Sequence, residues 1–143
     1  MSTLSVSIAE KLNLNGKDRG SVITKDIASI TETFHRIMDV KTSGTQTILE
    51  MDATEGNSAG GKLFSTNVKY LRITNLDGTN FVAITVQNDG TEEYMVKLEA
   101  GQSYVLFNSS LDANAAGDNS AAAGNLTAID NVLAKADTAS CQV

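Results

Sequence analysis

The chain contains no proline and no tryptophan, and only one cysteine and one histidine among its 143 residues. The single cysteine, Cys141, excludes an internal disulfide framework, and the single histidine, His35, excludes a multi-histidine metal site within one chain. Proline normally blunts exposed sheet edges, so another device or a partner chain must protect any edge here. With four Phe and three Tyr as the only aromatic residues, the core must consist mainly of Val, Ile, Leu and Ala.

Long apolar runs and clusters of basic residues are also missing. No stretch of about 20 apolar residues exists, and the first 25 residues lack the apolar run of a signal peptide, so we expect neither a membrane span nor a secretory leader. The net charge is −6, and residues 41–143 hold the whole excess, with twelve acidic against six basic side chains. Because phosphate-binding surfaces need clustered Lys and Arg, we expect no nucleic acid and no membrane as a partner.

The clearest pattern is a set of four strand-like segments joined by short turns. The turns contain Asn, Asp and Gly, and the segments between them are rich in β-branched and aromatic residues. Alternation is strictest where Val82, Ile84 and Val86 share one face of the second segment. This spacing predicts an antiparallel meander with one dry and one wet face, with strands at residues 67–74, 81–87, 92–98 and 103–108.

Further strands are predicted before this meander. Residues 3–14 alternate between apolar and polar side chains, and Asn15-Gly16 is a strong hairpin dipeptide that returns the chain into residues 21–24. Residues 45–51 form another predicted strand, after a turn at residues 42–44. The amino-terminal part of the chain is therefore expected to be β-structure as well.

Three segments leave alternatives open or lack a pattern. Residues 26–40 have apolar side chains at helical spacing, but β-branched Thr31 and Thr33 disfavour a helix, so a strand over 31–40 is preferred. Residues 126–136 fit a short helix or a last strand that closes a sheet, and the strand is preferred. Residues 109–125 are rich in Ala, Asn, Gly and Ser, which is typical of a flexible loop or arm.

These elements predict an all-β fold. Seven to nine strands with turn signals at roughly ten-residue intervals indicate an antiparallel β-sandwich, jelly-roll or immunoglobulin-like, with room for one short helix. A length of 143 residues is typical of one domain, so we expect a single β-sandwich domain over residues 1–143.

Residues capable of chemistry are few. His35 is expected to be structural, and Cys141 to be an ordinary small residue rather than a nucleophile. The pattern Asn75-x-Asp77-Gly78-x-Asn80 has oxygen ligands suited to calcium, but the twelfth position of an EF-hand loop would be Val86, so a turn is the preferred interpretation. We therefore predict no catalytic residues, no metal site, no cofactor and no enzymatic activity.

Three short segments resemble small virion structural proteins of tailed bacteriophages, marine ones in particular. They are residues 34–40 (FHRIMDV), 69–78 (KYLRITNLDG) and 134–141 (AKADTASC). The resemblance implies a non-enzymatic assembly protein of the virion, most simply a capsid decoration (cement) protein that stabilises the phage head. A neck, tail or fibre component is the alternative within that class. The implied partners are the major capsid protein, other virion proteins and further copies of the chain, and the implied location is the virion, assembled in the host cytoplasm.

Two functions from other classes compete with this interpretation. Tyr70, Tyr94 and Tyr104 could stack on sugars in a carbohydrate- or receptor-binding β-sandwich module, although half-buried strand positions are the preferred interpretation of all three. A glycoside-active enzyme would need paired carboxylates. Glu92 and Glu93 cannot supply such a pair on one strand face, because neighbouring residues point to opposite faces.

Overall fold

The structure, a computed structural model, confirms an all-β protein. It describes residues 2–52, 63–88, 92–107, 112–113 and 127–143. Over these ranges there is no α-helix, and the nearest approach to one is a 3₁₀ turn at Ser65–Asn67. The chain divides into two compact units, residues 1–35 and residues 36–143, which are described separately below. A single domain over residues 1–143 stays a prediction, since a compact unit need not fold independently.

The first unit is a long β-hairpin. Its turn is Asn15-Gly16, with φ of 52° and 75°, the positive values that a two-residue type I′ turn requires. Glu10 N–H donates to the Ser21 carbonyl, and Arg19 N–H donates to the Leu12 carbonyl. These two bonds keep the short strand pair next to the turn and the longer pair beyond it in one continuous register. The predicted hairpin is confirmed, with strands β1 (Ser2–Ala9), β2 (Asn13–Leu14), β3 (Lys17–Asp18) and β4 (Val22–Ile30).

The strand predicted for residues 31–40 is wrong over most of its length. The return strand β4 extends instead to Ile30, residues 31–38 are irregular, and only β5 (Asp39–Val40) is a strand. A partner strand is observed for the end of this segment: β15 (Cys141–Gln142) pairs with β5, and Val143 exchanges backbone bonds with Met38. Regular pairing thus stops at Met38.

The second unit is built around a five-stranded sheet with the order β10-β9-β14-β6-β7. All its pairs are antiparallel except β6–β7. The predicted strand at 45–51 is confirmed as β6. The strands of this unit after β5 are β6 (Gln46–Asp52), β7 (Leu63–Phe64), β8 (Tyr70–Thr74), β9 (Val82–Asn88), β10 (Glu92–Leu98), β11 (Ser103–Phe107), β12 (Asp112–Ala113), β13 (Thr127–Ala128), β14 (Asn131–Ala136) and β15.

The four strands predicted for residues 67–108 exist, but they do not form a meander. β9 and β10 form a hairpin, whereas β8 pairs with β11, from Thr74 opposite Ser103 to Tyr70 opposite Phe107. The segments 75–81 and 99–102 therefore carry the chain between two sheets rather than around tight turns within one. Their backbones are bonded to each other: Asn75 N–H donates to the Gln102 carbonyl, and Gly101 N–H donates to the Asn75 carbonyl.

The preferred strand within residues 126–136 is confirmed as β14, but its position differs from the prediction. It lies in the middle of the five-stranded sheet, between β9 and β6, rather than at a closing edge. Its residues Val132, Ala134 and Ala136 are buried on one face, with Val86, Ile84 and Val82 of β9 opposite them.

One apolar core lies between the five-stranded sheet and the β8–β11 sheet of the second unit. The five-stranded sheet contributes Ile84 and Val132, β8 contributes Ile73, and Leu106 of β11 packs against the same cluster. A sandwich-like arrangement follows, because both sheets turn one face to a common core. A jelly-roll or immunoglobulin-like topology stays a prediction. The predicted arm at 109–125 lies outside the described residues, apart from Asp112–Ala113, which pair with Thr127–Ala128.

Candidate functional site

Cys141 is buried in the second unit, next to residues 75–80, the loop whose sequence pattern was considered for calcium. Its Sγ donates to the carbonyl oxygens of Ala139 at 3.4 Å and Phe81 at 3.8 Å. Burial raises the pKa of the thiol, and the negative charges of Asp77 and Asp137 raise it further. Because the thiolate is the nucleophilic form, this thiol is poorly suited to covalent catalysis. His35, by contrast, is exposed, so it is not a core histidine.

The calcium-like pattern forms a hydrogen-bonded turn. Asp77 Oδ1 accepts bonds from the backbone N–H groups of Thr79 at 2.7 Å and Asn80 at 2.6 Å. These bonds lower the pKa of Asp77, the Asn80 bond most strongly. Asn80 Oδ1 accepts a bond from the Thr138 hydroxyl at 2.7 Å. Oxygens that could bind a cation thus already accept internal donors, as the turn interpretation expects.

Asn75 joins this turn to the end of β10. The side chain is fully buried, with 0% exposure. Its Nδ2 donates to the carbonyl oxygens of Asn80 at 2.8 Å and Leu98 at 3.1 Å, and its Oδ1 accepts from Asp77 N–H at 3.0 Å. A buried amide with these bonds fixes the crossing between the sheets. The sequence pattern pointed to this residue as a calcium ligand candidate, and its structural role was missed.

The three tyrosines do not form a common platform. Tyr94 and Tyr104 pack against the core, and their hydroxyl groups are 2.7 Å apart, within hydrogen-bond distance. Burial raises the pKa of Tyr94, and the contact with Tyr104 adds to the effect. Tyr70 alternates with the core-facing Leu71 and so lies on the other face of β8. All three are half-buried, as expected from their strand positions.

The most conspicuous surface is one face of the hairpin. Continuous register places seven apolar side chains on it, and we call these residues the hairpin face. Ile27 at the base is buried, whereas four side chains nearer the turn are between 44% and 62% exposed: Ile8, Leu12, Leu14 and Ile23. The members of the hairpin face are Leu4, Val6, Ile8, Leu12, Leu14, Ile23 and Ile27.

Basic residues accompany these apolar side chains. Lys17, Arg19 and Lys25 share the parity of the hairpin face, whereas Glu10, the acidic residue there, accepts a bond from the Ser21 hydroxyl at 2.7 Å. Residues 10–25 carry four basic and two acidic side chains, a net charge of +2. Residues 36–143 carry seven basic and thirteen acidic ones, a net charge of −6. The chain is therefore electrostatically asymmetric.

An exposed apolar side chain also lies on the outer face of the five-stranded sheet. Met95 of β10 is 67% exposed and stands opposite Thr85, which in turn stands opposite Leu133. Two residues along β10, on the same face, lies the exposed Glu93. On the other side Lys97 pairs with Glu99 at 2.6 Å, and its Nζ lies 4.3 Å from the centre of the Phe81 ring. Thr85 is only 7% exposed and Leu133 is half-buried, so Met95 and Glu93 are the exposed members of this group.

Two further findings concern site types considered from the sequence. Within the part of the chain that the structure describes, no three His, Cys, Asp or Glu side chains group as metal ligands. Over the same ranges there is no helix with the length and hydropathy needed to cross a bilayer.

Comparison with known proteins gives no family assignment. No protein-family model, no curated protein and no solved structure matches this chain.

Proposed function

We propose that this chain is a non-enzymatic structural protein of a phage virion, most specifically a decoration protein that binds the outside of the capsid. The observation that carries the proposal is the hairpin face. An isolated two-stranded hairpin is marginal in water, and apolar patches kept exposed generally mark contact surfaces. A long hairpin that presents apolar side chains suits a protein whose work is to hold its neighbours.

The energy available from covering this face is substantial. Ile8, Leu12, Leu14 and Ile23 together expose the equivalent of about two whole aliphatic side chains. At roughly 1.5–3 kcal/mol for each fully buried side chain, covering them contributes about 3–6 kcal/mol before the costs of association. One such contact is weak alone. Copies that also contact one another on a capsid would bind more firmly through avidity, because each bound copy holds its neighbour close to the next site.

The distribution of polar groups also supports a structural role. The side chains most capable of chemistry are those of Asn75, Asp77 and Cys141. All three make the hydrogen bonds described above, which hold loops together. The net charge of −6 would limit adhesion to nucleic acid during assembly in the host cytoplasm. Both properties fit a component of the virion that transforms no substrate.

The test is to determine whether the chain is part of the intact particle. Purified particles of the encoding phage should contain the protein, and quantitative mass spectrometry should give about one copy for each capsomer site. A few copies per particle would instead indicate a neck, tail or fibre component. Absence from particles, with the protein confined to the soluble fraction of infected cells, would refute a virion role.

A matched pair of variants tests the part played by the hairpin face. Ile23 is 62% exposed on that face, and its neighbour Val22 is 70% exposed on the opposite one. Recombinant protein carrying Ile23→Asp should bind weakly to particles that lack the protein, whereas Val22→Asp should bind as the unmodified chain does. Equal binding by both variants would remove the hairpin face from the explanation.

A further inference from the structure

We propose that Asn15 is a site of spontaneous covalent modification, where the side-chain amide is lost and isoaspartate forms at the tip of the hairpin. Asparagine is one of the thermolabile residues, and its lifetime depends strongly on the residue that follows it. Asn15 is followed by Gly16, and no other asparagine in the chain precedes a glycine. This modification is independent of any virion role.

The reaction needs only the chain and water. The backbone nitrogen of Gly16 attacks Cγ of Asn15, so that a new C–N bond forms, the bond from Cγ to the side-chain nitrogen breaks, and ammonia leaves with the Gly16 amide proton. The product is a succinimide ring. Water then opens the ring: attack at Cγ gives aspartate, and attack at the former main-chain carbonyl gives isoaspartate. Both steps are acyl transfers, so no oxidant or reductant is required.

The structure leaves both reacting groups accessible. Asn15 and Gly16 are exposed, and a Cβ built on Gly16 would meet no atom within 4 Å, so no neighbouring group crowds the glycine. The strand pair beside the turn, β2 with β3, has two residues on each side, and a two-stranded hairpin is marginal in water. Local opening of this tip therefore lets the Asn15 backbone leave its turn conformation and bring Cγ to the nitrogen.

The Asp77-Gly78 turn shows what protection from this chemistry looks like. An aspartate before a glycine can form the same ring by losing water. Asp77 Oδ1, however, accepts backbone bonds from Thr79 at 2.7 Å and Asn80 at 2.6 Å, which keep the carboxyl group turned toward those donors. The same bonds lower its pKa, and an ionised carboxylate is a poor electrophile. We therefore expect modification at Asn15 and not at Asp77.

Isoaspartate alters the turn more than aspartate does. Aspartate keeps the main chain unchanged, and Asp-Gly is also favoured in type I′ turns. Isoaspartate instead routes the main chain through Cβ and Cγ, which inserts one extra carbon between the two turn residues. Because the turn sets the register of a hairpin, this carbon removes the fit of Leu14 opposite Lys17. We expect the β2–β3 pair to open in the isoaspartate form.

Peptide mapping of the aged chain tests the site. The purified chain is kept at neutral pH in heavy-oxygen water and then digested with trypsin in ordinary water, which releases residues 12–17 as one peptide. We expect an amide exchanged for a heavy-oxygen acid at Asn15, in an amount that grows with time. Asn13 in the same peptide precedes the bulky Leu14 and should stay unchanged. An isoaspartate-specific methyltransferase should label the product.

Asn15→Gly is the matched control. Gly-Gly is also favoured in this turn, so the hairpin is retained, but the variant cannot form the ring and should gain no methyl label at the turn. Three results would each overturn the proposal: an Asn15 amide that persists unchanged, equal conversion of Asn13, or a product that is aspartate without isoaspartate. The last would indicate direct hydrolysis of the amide, since only the ring leads to isoaspartate.

Nuclear magnetic resonance tests the effect on the turn. The isoaspartate form, separated by reversed-phase chromatography and refolded, is compared with Asn15→Asp, which has the same charge and an unaltered main chain. Cross-strand proton contacts between β2 and β3 should be present in Asn15→Asp and lost in the isoaspartate form. The same contacts in both would show that the turn accepts the extra carbon, and would overturn the expected opening.

Discussion

Replacement of Asn75 by alanine should be among the most damaging single changes in this protein. The substitution removes the two bonds that Nδ2 donates, to the carbonyl oxygens of Asn80 and Leu98, and the bond that Oδ1 accepts from Asp77 N–H. The site has 0% exposure, so water can replace these bonds only if the loops move apart. The loops concerned connect the five-stranded sheet to the β8–β11 sheet.

The expected magnitude follows from the three lost bonds. Each contributes about 0.5–1.5 kcal/mol net, and leaving buried partners unsatisfied places the cost toward the upper part of that range. We expect Asn75→Ala to lower the free energy of unfolding by about 3–4 kcal/mol. Urea unfolding followed by far-UV circular dichroism measures this change from the shift in midpoint at constant slope.

A neighbouring position provides the control. Leu76 is exposed, and its structural bond, from its backbone N–H to the Gln142 carbonyl at 2.8 Å, does not depend on the side chain. Leu76→Ala should therefore cost less than about 1 kcal/mol. Two results would refute the view that Asn75 holds these loops together. One is an equal loss of unfolding free energy in Asn75→Ala and Leu76→Ala, and the other is a loss under about 0.5 kcal/mol in Asn75→Ala.

The aspartate variant makes a sharper test with a pH dependence. Asn75→Asp places a buried carboxylate against two carbonyl oxygens, which raises its pKa in the folded state above the unfolded value. Its destabilising effect should therefore be smallest at low pH, where the carboxyl group is protonated and can donate one bond. The effect should grow as the pH rises through the unfolded and then the folded pKa. A pH-independent difference from the unmodified chain would contradict this.

Three further predictions concern other parts of the molecule. Gly20→Ala should speed amide hydrogen exchange across β1–β4 by about tenfold or more, because a Cβ there would lie 2.2 Å from the Glu10 carbonyl oxygen. Gly78→Ala is the control, since a Cβ at that position would have no atom within 4 Å. Equal exchange rates in the two variants would contradict the clash. Tyr94→Phe should cost about 1 kcal/mol in urea, since it removes the hydroxyl contact with Tyr104. Because the Tyr94 pKa is raised above 10.0, its contribution is complete below pH 10 and is lost as pH rises further, and Tyr94→Phe should weaken this alkaline loss. The Asp77 pKa is lowered in the folded state, so the stability that this carboxylate contributes is complete above pH 3.8 and is lost as pH falls through the folded pKa. Asp77→Asn should therefore lose less free energy of unfolding over that acidic range than the unmodified chain does. The same loss in both proteins would refute the assignment.

Local features of the sequence predicted much of the secondary structure. Asn15-Gly16 indicated a hairpin because those two residue types tolerate the positive φ that the turn needs. Alternation of Val82, Ile84 and Val86 with less apolar neighbours indicated which face of β9 is buried. The candidate site was predicted less well. Asn75 was conspicuous as a turn residue and as a candidate calcium ligand, but its bond to the Leu98 carbonyl joins residues 23 positions apart, which no local pattern reveals.

The sequence alone determined that the chain is β-rich, where most strands lie and which of their side chains turn inward, because these properties depend on residues a few positions apart. Only the tertiary structure decided the partners: β8 joins β11, β14 enters the middle of a sheet, and residues 31–38 remain irregular. Pairing between distant strands depends on loop closure and on the shared burial of side chains far apart in the chain. No pattern within a single strand records which neighbour it will have.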